Sequence, residues 1–95
     1  MVNVLIAGYD DQTGPELHWI DYLGAMNKVP FGAHGYGAAF TLGTLDRNYQ
    51  KNLTLEEAKG LLRKCFFELK TRFLINLPNW TIKVVDKTGI HEIQL

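Results

Sequence analysis

Short apolar runs in the first third of the chain predict three β-strands. Residues 2–9, VNVLIAGY, are apolar almost throughout, which is typical of a strand that is covered on both faces. The polar stretch DDQTGPE at 10–16 predicts a turn, and residues 17–22 are interpreted as the returning strand. A third short strand is predicted at 29–34, because Pro30 disfavours helix in the residue before it.

The C-terminal end of the chain predicts a hairpin. Residues 80–85, WTIKVV, alternate between apolar and polar side chains with a period of two. The tetrapeptide DKTG then supplies a turn, and IHEI at 90–93 forms the last strand.

Two helices are predicted between these strand regions. The earlier one runs from about Tyr36 to Asn48 and is apolar on two faces, a pattern usual for a helix lying between two layers. Thr54 begins the clearer one, because Thr54-Leu-Glu-Glu57 is a capping box that satisfies two free backbone N–H groups. Pro78 ends that segment. Its predicted core face, with Leu61 at the edge, consists of Leu55, Ala58, Leu62, Cys65, Phe66, Leu69 and Phe73.

Two apolar side chains of the second helix lie off its core face. Phe67 and Leu74 project beside charged residues of the helix. Scattered apolar residues are common on protein surfaces, whereas a contact with a second chain would give them a role. The pattern alone leaves these two interpretations equal, and Phe67 and Leu74 are the candidate subunit contacts.

The order of elements, βββ-αα-ββ, predicts an α+β fold. Hairpin-length connections indicate an antiparallel sheet with a helical layer on it. A chain of 95 residues forms one domain at most, which we assign to residues 1–95.

Composition excludes several classes of function. Ten basic residues balance ten acidic ones, so no net field draws the chain to nucleic acid or to an anionic membrane. No apolar run approaches the ~20 residues that span a bilayer. The single cysteine, Cys65, falls on the predicted buried face, where an unreactive thiol is expected. Asp10 and Asp11 are interpreted as caps of the first turn.

Glycines recur between Gly32 and Gly43, a density that suits either a phosphate-binding loop or close packing of backbones. Neither a GxGxxG nor a Walker pattern is present, and the predicted strand order lacks a βαβ unit, so packing is favoured. The three histidines, His18, His34 and His91, lie far apart, so no metal site and no cofactor are predicted.

Five stretches of the sequence resemble a proteasome beta subunit. They are AHGYG, TLGTLDRNY, EEAKGLLRKCFFELKTRF, NLP and DKTGIH, and they occur in this order along nearly the whole chain. Within that family the similarity is greatest to the type-2 members, which occupy the fourth position of the beta ring. The resemblance covers about the C-terminal half of a family member. It implies part of the αββα sandwich of the N-terminal-nucleophile hydrolase class.

The resemblance also bears on catalysis. Catalytic members use an N-terminal threonine whose own α-amine is the base, and this chain begins Met1-Val2. Where catalytic members have Gly-Ser-Gly before the first helix, this chain has Tyr36 in place of the serine. Where they have Arg-Asp-x-x-Ser at the end of the second helix, Phe73 replaces the aspartate and Asn76 the serine. The resemblance therefore implies a subunit without catalytic residues.

Such a subunit is a structural component of the 20S core particle, where it supports ATP- and ubiquitin-dependent protein degradation. The implied partners are other alpha and beta subunits in a hetero-oligomer, found in cytoplasm and nucleus. Two alternatives remain: a fragment of a catalytic threonine-type endopeptidase subunit, and an independent small α+β binding domain. The substituted support positions disfavour the first, and the extent of the motif match disfavours the second.

Overall fold

The computed structural model describes residues 2–35, 37–73 and 80–95, with Phe73 described by its backbone alone. The elements are β1 Val4–Asp10, β2 Gly14–Ile20, β3 Met26–Lys28, α1 Ala38–Asn48, α2 Leu55–Phe73, β4 Ile82–Asp86 and β5 Gly89–Ile93. This order confirms the predicted βββ-αα-ββ arrangement and the α+β class. The chain divides into two compact units, one holding the five strands and the other the two helices. That residues 1–95 form a single domain stays a prediction.

β1 and β2 form an antiparallel hairpin in which Val4 lies opposite Ile20 and Asp10 lies opposite Gly14. The turn is shorter than predicted, because the Asp10 carboxylate accepts the backbone N–H groups of Gln12 at 2.7 Å and Thr13 at 3.2 Å. These hydrogen bonds lower the pKa of Asp10. The predicted cap role of Asp10 is confirmed, and the end of the predicted turn belongs to β2.

The prediction of a third strand at 29–34 is wrong, since β3 occupies Met26–Lys28. The Asp21 carboxylate accepts the backbone N–H groups of Leu23 at 2.9 Å and Ala25 at 3.0 Å. This turn reverses the chain early enough for Met26 to pair with Ile20. The hydrogen bonds from the backbone to the Asp21 side chain thus determine where the third strand begins, ahead of the predicted range 29–34.

β4 and β5 form a second antiparallel sheet, separate in its hydrogen bonding from β1-β2-β3. The structure therefore has a three-stranded and a two-stranded sheet where the sequence predicted one, and β4 lies against β1. The Asp86 carboxylate closes the β4–β5 turn by accepting the Thr88 hydroxyl at 2.6 Å and its N–H at 2.8 Å. Both hydrogen bonds lower the pKa of Asp86.

In the helical unit, the capping box at the start of α2 is confirmed. The backbone N–H of Thr54 donates to Glu57 Oε1 at 3.0 Å, and the N–H of Glu57 donates to Thr54 Oγ1 at 3.2 Å. Hydrogen bonding of the Glu57 carboxylate to the backbone N–H and the side chain of Thr54 lowers the pKa of Glu57. The reciprocal pair satisfies two backbone donors that the first turn of any helix leaves free.

The core of the helical unit follows the predicted face of α2 in part. Among its described residues the buried apolar side chains are Cys65 and Leu61, and Phe66 stacks on Trp80 with ring centroids 3.9 Å apart. Leu55 was predicted to lie in the core and is 48% exposed, because it occupies the first turn of α2. The remaining described members of the predicted face are half-buried: Ala58, Leu62 and Leu69.

α1 begins at Ala38 rather than near Tyr36, which lies outside the described residues. Its most buried residue is Thr44, at 3% exposed, which the hydrophobic pattern did not predict. The Thr44 hydroxyl donates to the backbone oxygen of Phe40 at 3.2 Å, so it carries no unsatisfied polar group into the interior. The predicted apolar faces of α1 leave Phe40 and Leu42 exposed.

Burial of Cys65 predicts slow alkylation in the folded helical unit. Desolvation raises the pKa of its thiol, which lowers the fraction of reactive thiolate at neutral pH. We expect iodoacetamide at pH 7.5 to modify Cys65 at least about tenfold more slowly in native buffer than in urea. Mass spectrometry of the intact chain over time measures both rates. Equal rates would show that the helical unit does not bury this thiol.

Candidate assembly surface

Phe67 lies on the surface of α2 with 69% of its area exposed, two residues after the buried Cys65. Its predicted position off the core face is confirmed. Contact between Phe67 and another subunit stays a prediction. Leu74, the other candidate, lies outside the described residues.

A groove of about 440 Å³ runs between α1 and α2 beside Phe67. Its lining residues are Thr44, Arg47, Asn48, Arg63, Lys64, Phe67 and Glu68. The two helices are antiparallel here. Lys64 Nζ donates to Asn48 Oδ1 at 3.1 Å near the end of α1, and the Arg72 guanidinium lies 5.9 Å from the Phe40 ring near its start.

The groove is richer in cations than in anions. Arg47, Arg63 and Lys64 line it, and no ion pair joins any of them to a carboxylate in the described part of the chain. Glu68 is the one carboxylate in the lining, and its Oε2 accepts from Arg72 Nε at 3.2 Å. Spacing within a single helix does not reveal this cluster, because the cluster depends on the register between the two helices.

Apolar side chains are also exposed in the strand unit, on β1. Leu5 and Tyr9 are 40% and 39% exposed, and Ile6 is 52% exposed. Because alternate residues of a strand point to opposite faces, Ile6 lies on one face of β1 while Leu5 and Tyr9 lie on the other. Apolar side chains are thus exposed on both faces of β1, the strand whose sequence predicted coverage on both.

The glycine-rich segment packs against the strands near its beginning. A Cβ added at Gly32 would come within 3.0 Å of Leu5 Cδ2 and 3.3 Å of Trp19 Cδ1. The Trp19 indole N–H donates to the backbone oxygen of Ala33 at 3.3 Å, and its ring stacks on His34. Gly32 therefore lies at a point of close packing, as the sequence predicted for this segment, and a larger residue there would displace the Leu5 and Trp19 side chains.

Gly43 is the last glycine of this segment, and close packing of backbones was expected there as well. A Cβ at this position would meet only the Arg47 guanidinium of the same helix, at 3.3 Å, among the described residues. Because that group is the far end of a flexible side chain, Gly43 is not needed for packing between helices.

Three positions were predicted from the sequence to have lost a catalytic support residue, and the structure describes one of them. Phe73 is the last residue of α2, while Tyr36 and Asn76 lie outside the described ranges. The absence of catalytic residues at these positions therefore stays a prediction from the sequence.

A threonine–histidine–aspartate cluster that was not predicted occurs at the β4–β5 turn. His91 Nε2 lies 2.7 Å from Thr88 Oγ1 and 3.3 Å from Asp86 Oδ1. In a catalytic triad the carboxylate holds the opposite ring nitrogen from the nucleophile. Here both contacts fall on Nε2, and the Thr88 hydroxyl is 2.6 Å from the carboxylate. The cluster stabilises an exposed turn and lacks the geometry of an activated nucleophile.

The described residues contain no group of three or more histidine, cysteine, aspartate or glutamate side chains arranged to hold a metal ion. Among the described helices, none is long and apolar enough to cross a membrane.

Comparison with known proteins identifies the family. Residues 1–85 match the Proteasome subunit family. Proteasome subunit beta type-2-A of Arabidopsis thaliana is 46% identical over 91 residues, which cover 96% of this chain and 45% of that protein. A probable proteasome subunit beta type-4 of Meyerozyma guilliermondii is 48% identical over 94 residues, which cover 98% of this chain and 48% of that protein.

Proteasome subunit beta type-4 of Saccharomyces cerevisiae is 44% identical over 93 residues, covering 97% of this chain and 47% of that protein. The chain thus spans about half the length of these curated relatives. Its two helices and antiparallel sheets agree with part of a proteasome subunit domain, as the motifs predicted. The chain belongs to the proteasome beta subunit family.

Proposed function

We propose that this chain is a non-catalytic structural component of the 20S proteasome core particle. In this role it packs against other alpha and beta subunits in a hetero-oligomer and supports ubiquitin-dependent protein degradation. The observation that carries the proposal is the similarity of nearly the whole chain to proteasome beta subunits. The same proposal places it in the cytoplasm and nucleus.

Exposed apolar surfaces support a role in assembly. Monomeric soluble proteins rarely leave contiguous apolar patches uncovered, and larger patches mark interaction sites. Ile6 and Leu5 expose opposite faces of one strand, and Phe67 stands out from the helical unit at 69% exposed. A subunit packed among neighbours would cover such surfaces.

The proposal that the chain is non-catalytic rests on residue chemistry. In the sequence motifs, this chain has Phe73 where catalytic members of the family have an aspartate, and it has Tyr36 and Asn76 where they have serines. A phenyl ring offers no charge or hydrogen bond to orient a threonine amine, and activation of the nucleophile needs an oriented base. With these three positions substituted, the machinery around such a nucleophile is incomplete.

We therefore expect the purified chain to have no peptidase activity. Fluorogenic peptides with basic, acidic and apolar residues before the reporter group would be assayed with and without a threonine-directed covalent inhibitor. The expected rate equals that of buffer in every case. Inhibitors of serine and cysteine peptidases serve as controls for contaminating enzymes. Turnover blocked only by the threonine-directed inhibitor would contradict the proposal and favour a catalytic subunit.

A further inference from the structure

We propose that the groove between α1 and α2 receives an acidic segment of a neighbouring protein chain. Carboxylates of that segment face Arg47, Arg63 and Lys64, and an apolar residue of the segment packs on Phe67. The inference rests on the proposed function, since it names the chemistry of the partner at one of the surfaces that assembly would cover.

Charge complementarity selects the occupant. Arg47, Arg63 and Lys64 line one groove without a carboxylate partner in the described ranges, and Glu68 is already engaged by Arg72. Covering these cations with an apolar or basic surface would remove their hydration without replacing it, which costs free energy. A segment that carries aspartate or glutamate replaces the lost hydration with charge-assisted hydrogen bonds.

The cation at Lys64 is held in position before any partner arrives. Its ammonium donates to Asn48 Oδ1, and Asn48 Nδ2 in turn donates to the backbone oxygen of Thr44 at 2.7 Å. A side chain already held by its neighbours loses less conformational entropy on binding. This short network therefore presents a positive charge at a fixed place in the groove.

The apolar part of the proposed segment follows from Phe67. Its ring is 69% exposed at the groove, and aromatic side chains in that position anchor interfaces once they are covered. The groove volume of about 440 Å³ has room for a few side chains of a partner.

Protein is favoured over nucleic acid as the occupant. The chain has a formal net charge of zero, so it lacks the broad positive field that gathers a phosphate backbone. A mixed apolar and acidic peptide fits both the aromatic ring and the limited number of cations.

Photo-crosslinking tests the inference in the assembled state. The affinity-tagged chain carrying Phe67→p-benzoylphenylalanine would be purified from cells with its bound proteins, irradiated and analysed by mass spectrometry. We expect the crosslink to fall on one segment of a different chain that has at least two aspartate or glutamate residues within about five positions. We expect Arg63→Glu to lower the crosslink yield about tenfold, because like charges then meet.

Matched variants separate charge from folding. Lys51→Glu makes the same charge change at an exposed residue of the helical unit outside the groove lining, and it is expected to leave the yield unchanged. Replacing the crosslinked partner's carboxylates with lysine should restore the yield in Arg63→Glu. Circular dichroism checks that each variant keeps its helices.

The remaining outcomes overturn the inference in distinguishable ways. If proteasome subunits are captured but the crosslink falls on a segment without acidic residues, on a second copy of this chain, on nucleic acid or nowhere, the proposed function stands and the inference fails. An unchanged yield in Arg63→Glu also contradicts it. If no proteasome subunit is captured, the proposed function fails and the inference fails with it.

Discussion

Purified alone, the chain is expected to self-associate or to fold poorly in its strand unit, which holds β1 to β5. The exposed apolar side chains of the described residues include Ile6 and Leu5 on opposite faces of β1, and Ile90 on β5 at 70% exposed. Unpaired strand edges also favour self-association. In the described sheets, one side of each of four strands is unpaired: β1, β3, β4 and β5. Uncovered apolar faces and unpaired strand edges both favour association between chains.

The magnitudes favour the same outcome. A domain of this length is stable by only several kcal/mol, at roughly 0.05–0.15 kcal/mol per residue. Each 100 Å² of apolar surface left in water forgoes about 2.5 kcal/mol of burial free energy. A few uncovered apolar side chains on one strand are therefore enough to offset the free energy of unfolding of a domain of this length.

Size-exclusion chromatography with light scattering and amide hydrogen exchange would measure this outcome. We expect oligomers or aggregates, with fast exchange in the strands. Ile6→Lys should shift the distribution toward smaller species, because charge on a strand discourages pairing. Asn27→Lys, at an already polar and exposed position of β3, is the matched control. A monodisperse wild-type monomer with slowly exchanging strand amides would show that the 95 residues are self-sufficient.

Phe67→Ala is expected to lower incorporation of the chain into proteasome particles. Truncating an aromatic residue buried at an interface typically costs ~2 kcal/mol or more, which is about thirtyfold in affinity. The side chain is exposed in the chain by itself, so its solubility and helix content should not fall. Native electrophoresis followed by detection of the tagged chain measures the fraction in assembled particles.

Two further variants make this test specific. Leu55→Ala removes another exposed apolar side chain from the same helix, away from the groove, and should assemble normally. Leu74→Ala, the second candidate from the sequence, is expected to act in the same direction as Phe67→Ala. Normal assembly with both Phe67 and Leu74 changed to alanine would count against the contact.

Local signals in the sequence predicted the parts of the fold that depend on neighbouring residues. The capping box from Thr54 to Glu57 formed as expected, because both partners lie within one helical turn. The prediction that Asp10 caps the first turn succeeded for the same reason. Where a competing local signal was overlooked, the prediction failed: the carboxylate of Asp21 closes a turn that moves β3 to 26–28.

Features that depend on how separate elements meet were not predictable from one sequence. Thr44 is buried because α1 packs on α2, although threonine counted as polar in the pattern of α1. The cations of the groove come from both helices, and only their antiparallel register brings Arg47 near Arg63 and Lys64. Single-helix periodicity correctly placed Phe67 on the surface and could not place the charges around it.

The proposed role as a structural subunit of the proteasome core particle can be tested in a cell extract. Sedimentation of an extract containing the tagged chain, with quantitative mass spectrometry of each fraction, measures whether the chain is part of the particle. We predict that the chain migrates with proteasome alpha and beta subunits in the fractions of the core particle, in constant ratio to them. A chain found only in the light fractions, while core particles sediment without it, would contradict the claim.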